Sequence, residues 1–110
     1  MKEKQRNSFG HGELWIGLVK VEQSSRKGVL GDSVRAYSNV IAIADGRADF
    51  RRRVKAALTD LDLRLIRLED AETLKSRSSK YSIDRELIKV AKSARNTGHV
   101  GFGTFHAFEA

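Results

Sequence analysis

Two hydrophobic periods, one near 2 residues and one near 3.6, take turns along this 110-residue chain. Leu14-Trp15-Ile16-Gly17-Leu18-Val19-Lys20-Val21 is rich in β-branched and aromatic residues and predicts a strand, with Gly17 marking a bulge. Gln23 to Ser33 contains Ser24, Ser25, Gly28, Gly31 and Asp32, the composition of a surface loop. Ala36 to Ala44 predicts a second strand. Tyr37, Ile41 and Ile43 share one face of it, and Val40, Ala42 and Ala44 the other. Two apolar faces at the far end mark a central, covered strand.

The period then lengthens. Phe50, Val54, Ala57, Leu58 and Leu61 form one stripe of an amphipathic helix, with Asp45 placed to cap its N-terminus. Leu63 to Glu69 predicts a third strand, irregular because Leu65 and Ile66 are adjacent. Lys75 to Lys80 is polar and basic and reads as a loop. Ser82 is placed to cap a second helix with Ile83, Leu87, Val90, Ala91 and Ala94 on its apolar face, and Gly98 stops it. Val100 to Phe108 predicts the last strand.

The order β-β-α-β-α-β predicts an α+β fold. The expected architecture is a two-layer sandwich, a mixed sheet of about four strands with two helices on one face. Residues 1–12 are polar and aperiodic and predict a flexible N-terminal arm ahead of a single domain, 13–110.

Charge adds a direction to this picture. The net charge is +7, which favours acidic partners. Residues 36–74 carry seven basic and seven acidic side chains, whereas 75–98 carry seven basic and two acidic. The excess in that second segment marks Lys75, Arg77, Lys80, Arg85, Lys89 and Lys92 as a basic patch for partner binding. Arg85, Lys89 and Lys92 fall at i, i+4 and i+7, on the outer face of the second helix.

Other chemistry is sparse. There is no cysteine, which excludes thiol nucleophiles and thiolate zinc sites and fits a reducing, cytoplasmic setting. The longest apolar stretch, Val40 to Ala44, is far short of the roughly 18 residues of a membrane span, so no membrane insertion is expected. His99 and His106 would stand about 23 Å apart on a regular strand, too far to share a metal. Gly-x-Ser-x-Gly does not occur, and neither glycine-rich segment ends in Gly-Lys-Ser/Thr. No catalytic residue, metal or cofactor is expected.

Gly101-Phe102-Gly103, followed by Phe105 and Phe108, resembles the aromatic strand motif of the RNA recognition motif in its Gly-aromatic-Gly core. Val100 stands where that motif has a basic residue, and Thr104 where it has an aromatic one, so the match does not carry the family. On a regular strand these rings divide between two faces, and a bulge at Gly103 would reunite them.

The leading expectation is a small non-catalytic binding protein, of adaptor or inhibitor type, that engages an acidic protein partner. RNA or single-stranded DNA binding is the alternative, with Tyr37, Trp15 or exposed phenylalanines as stacking platforms. A small enzyme with its site between subunits ranks last; self-association is open.

Overall fold

The computed structural model describes residues 12–23, 28–31 and 33–108. The predicted arm therefore lies outside the described residues except for Gly12, as does part of the Gln23–Ser33 loop. The elements are β1 (Glu13–Gln23), β2 (Arg35–Ala44), α1 (Arg47–Asp60), β3 (Leu63–Thr73), α2 (Leu74–Ser78), α3 (Arg85–Thr97), β4 (Gly101–Phe102) and β5 (His106–Phe108). The α+β class is observed, and the predicted order is matched except that a short α2 precedes α3 and the last strand is split into β4 and β5.

The sheet order is β3-β1-β2-β4, with β5 also paired to β2. Every pairing is antiparallel, so the sheet is not mixed. The reason is that β1 inserts between β2 and β3. Those two strands run the same way, joined by α1, yet never touch each other.

The helices do not share a face either. Val19, Val21, Val40, Ala42 and Ala44 pack with Phe50, Val54 and Leu58 of α1. Ile16 and Ile41, of opposite strand parity, pack with Leu87, Ala91 and Ala94 of α3. The sheet is therefore covered on both sides where β1 begins and β2 ends. The two apolar faces of β2 account for this, because each needs its own cover.

Local differences have local causes. α1 is capped by Gly46, not Asp45. The Asp49 carboxylate reaches back to accept the Asp45 amide at 2.9 Å, which holds its pKa below the ordinary value. α3 begins at Asp84, not Ser82, and the Asp84 carboxylate accepts the Glu86 amide at 3.1 Å. Gly98 ends α3 with φ 78°, and its amide donates to the Ala94 carbonyl at 2.8 Å. The irregularity of β3 is a bulge at Ile66, where adjacent residues Lys20 and Val21 pair with Arg67 and Leu65. A second lies at Asp70–Ala71, opposite Gly17, with Asp70 at φ 55°.

The last strand is broken. Phe102 pairs with Val40 and His106 with Tyr37, so three residues, 103–105, face two, 38–39. That bulge puts Phe102 and Phe105 together, with ring centroids 5.6 Å apart against the α1-side core. Phe108 instead stacks on Tyr37 at 4.6 Å.

Candidate functional site: the basic surface of α2 and α3

The predicted basic patch divides into three parts. Arg77 and Lys80 belong to an ion-pair cluster. The segment read as a loop forms α2 instead, capped by Thr73, whose hydroxyl accepts the Ser76 amide at 3.1 Å. This turn brings Arg77, Ser76 and Lys80 onto Glu72, with Arg77 Nε against one carboxylate oxygen and Lys80 Nζ 2.8 Å from the other. Hydrogen bonds from Arg77 and then Lys80 lower the Glu72 pKa to about 2. Arg77 also donates to the Asp70 carbonyl at 2.9 Å. These two cations fasten α2 to β3.

Arg85 and Lys89 are exposed on the outer face of α3. Their acidic neighbour Glu86 turns away and accepts the Thr104 hydroxyl at 2.9 Å. Lys75 and Lys92 form the third part. With Arg95 they edge a groove of about 640 Å³ whose apolar wall is Leu14, Leu74, Ile83, Ile88 and Ala91.

Sequence reasoning missed this groove. Leu74 and Arg95, which line it, stand outside the patch that the sequence marks. The available signal was Ile88, an apolar residue off the buried stripe and flanked by Arg85 and Lys92 at i−3 and i+4.

The charge on the rest of the surface is compensated in part, since Lys20, Arg47, Arg51 and Lys55 have no carboxylate partner among the described residues. Arg52 and Arg53 pair with Asp49, Arg35 and Arg64 with Glu22, and Arg67 with Glu69. By contrast, Lys75, Arg85, Lys89, Lys92 and Arg95 have no carboxylate partner among the described residues.

A second cleft lies between α2, the start of α3 and the sheet, and includes Asn39, Asp70, Glu72, Tyr81 and Asp84. Its Glu72 is already neutralised by cations, and its Asp84 caps α3. The cations hold Glu72 far below the pKa that a general base near neutral pH needs. No cluster of three His, Cys, Asp or Glu occurs among the described residues.

Of the stacking platforms considered, Trp15 is taken. It packs 6.0 Å from Phe50 and carries the Arg47 guanidinium 5.7 Å from its ring centre. Tyr37 and Phe108 lie on the part of the sheet beyond α3, with Lys20 Nζ 5.9 Å and 5.1 Å from their ring centres. His11 lies outside the described residues; His106 is exposed on β5, while His99 precedes β4.

No family model, curated protein or solved structure matches the chain. No helix among the described residues is long and apolar enough to cross a membrane.

Proposed function

We propose that this chain is a non-catalytic binding protein, of adaptor or inhibitor type, whose α2–α3 surface engages an acidic protein partner in the cytoplasm. The observation that carries the reading is the concentration on that surface of Lys75, Arg85, Lys89, Lys92 and Arg95, five cations without a carboxylate partner among the described residues, on a molecule that pairs most of its described arginines elsewhere. Unpaired like charges on one face steer an oppositely charged partner and speed its association.

The test is the triple variant Arg85→Gln, Lys89→Gln, Lys92→Gln, titrated with a labelled poly-glutamate peptide at two salt concentrations. The wild type should bind, with association slowing as salt rises. The triple variant should bind more weakly yet keep its thermal midpoint, because surface changes of this kind cost under about 0.5 kcal/mol each. Unchanged affinity in the triple variant would remove the reading.

RNA or single-stranded DNA binding is a second reading, favoured by the Tyr37–Phe108 stack with Lys20 over it. It requires Tyr37→Ala to weaken oligonucleotide binding. It also requires the slope of log affinity against log salt to fall by about 0.7 for each lost phosphate contact.

A further inference from the structure

We infer that the groove between α2 and α3 receives an acidic amphipathic helix from the partner protein. This rests on the binding role proposed above and assigns that role a mode. The groove has what such a ligand needs, an apolar wall beside Lys75, Lys92 and Arg95, which have no carboxylate partner among the described residues. Ile88 projects from α3 with 43% of its surface exposed, although Leu87 and Ala91 beside it are buried. Lys92 and Arg95 stand at i+4 and i+7 from it on the same helix, and Lys75 edges the groove from α2. An apolar anchor ringed by cations selects a segment with apolar residues in the centre and carboxylates at the flanks.

The backbone decides between a helix and a strand. β1 reaches the groove through Leu14, and it is paired on both sides: Leu14 with Ile43 on one flank, and Trp15 with Thr73 on the other. Most of the remaining wall comes from α2 and α3, whose backbones are hydrogen-bonded within the helices, with Ile83 between them. Among the described residues that line the groove, only Glu13 and Leu14 of β1 lack a β3 partner, an edge too short for a partner to add a strand. A helix satisfies its own backbone and binds through side chains alone. Its i to i+7 anchor span is about 10.5 Å, the same rise that separates Ile88 from Arg95 on α3. Gly12 and Glu13 line the groove, and residues 1–11 ahead of them in sequence carry Lys2, Lys4 and Arg6 against one acid, Glu3, a charge that does not suit the basic rim.

Three labelled probes test this against the full chain. The first is a helix-forming peptide of about 18 residues, with leucines at i, i+3, i+4 and i+7 and glutamates flanking them. The second has the same composition with the leucines scattered, and the third is a single-stranded RNA of about 12 nucleotides. The striped peptide should bind at least tenfold tighter than the scattered one, and Ile88→Asp should abolish that preference while leaving the circular dichroism spectrum unchanged. Ile88→Ser provides a milder second variant. If both peptides bind alike and neither Ile88 variant matters, the groove claim fails while the acidic-partner reading stands. If neither peptide binds, or the RNA outcompetes both, the two fail together. Striped-peptide binding that appears only after residues 1–11 are removed would mean the chain fills its own groove, and would also overturn the claim.

Discussion

At the scale of single residues, the side chain with the most structural work is Gln23. It is 6% exposed and closes β1. Its amide group donates to the Gly31 and Ser33 carbonyls at 2.8 Å and 2.7 Å, and its Oε1 accepts the Leu30 amide at 2.9 Å. One side chain thereby organises the return from β1 to β2. Gln23→Leu keeps the volume and strands three backbone groups, at about 1–3 kcal/mol for each that stays buried and unsatisfied. Allowing for water reaching some of them, chemical denaturation should register a loss of about 2–4 kcal/mol. Gly28 belongs to the same device, since a Cβ there would lie 2.5 Å from Gln23 Oε1. Gly28→Ala should destabilise the chain in wild type but much less in Gln23→Ala, where the obstructing atom is gone. Equal losses in both backgrounds would separate the two residues.

At the scale of elements, α2 is held through Glu72, and its stability should depend on acid. The folded pKa of Glu72 is lowered to about 2 from 4.5 by Arg77 and Lys80. A depressed carboxylate pKa gives stability that is present in full above the unfolded pKa and lost as pH falls through the folded one. The attachment of α2 should therefore weaken between about pH 4.5 and 2 and be flat above that window, as read from the amide resonances of residues 74–80. Glu72→Gln should remove most of that dependence. α3 offers a packing test. Leu87→Ala, on its buried face, should cost about 2–5 kcal/mol. Gly101→Ala would set a Cβ 2.6 Å from Val90 Cγ1 and should push α3 off β4.

Elements of this kind were legible in the sequence wherever one apolar period ran unbroken. The stripes Phe50-Val54-Leu58 and Leu87-Ala91-Ala94 are buried as read, and Leu65-Ile66 did announce the β3 bulge. The misreadings fell where a polar side chain decided the outcome. Thr73 and Glu72 turn a basic stretch into a helix, yet neither signals that without its partners in space. The groove was hidden for the same reason, because Leu14, Leu74 and Ile88 come from three elements and meet only in the fold. The sequence pattern suggests helices on one face, although the two apolar faces of β2 already call for cover on each side.

At the scale of the whole molecule, one sheet serves two cores of unequal size. Among the described residues, the buried cluster on the α1 side has eleven members, including Phe50, Val54, Leu58, Val19, Val21 and Val40, and that on the α3 side five, two of them alanines. β1 and β2 contribute to both, so they should be the last part to open, and α2 with α3 the first. Binding surfaces belong to such low-stability parts when the partner supplies the missing burial. Native-state hydrogen exchange should therefore resolve two levels. Amides of Ile16 to Val21 and Val40 to Ile43 should exchange only through global unfolding, tracking denaturant with the full slope of the equilibrium transition. Amides of Leu87 to Ala94 should exchange through a smaller opening with a shallower slope. Leu87→Ala should lower that second level more than the first, and Leu58→Ala should lower the two together because α1 closes the main core. Saturation with an acidic helical peptide should raise the α3 level toward the global one and leave β1 unchanged in order. A single exchange level shared by α3 and the central strands would show that the smaller core does not open on its own, and that a partner in the groove has no local opening to suppress.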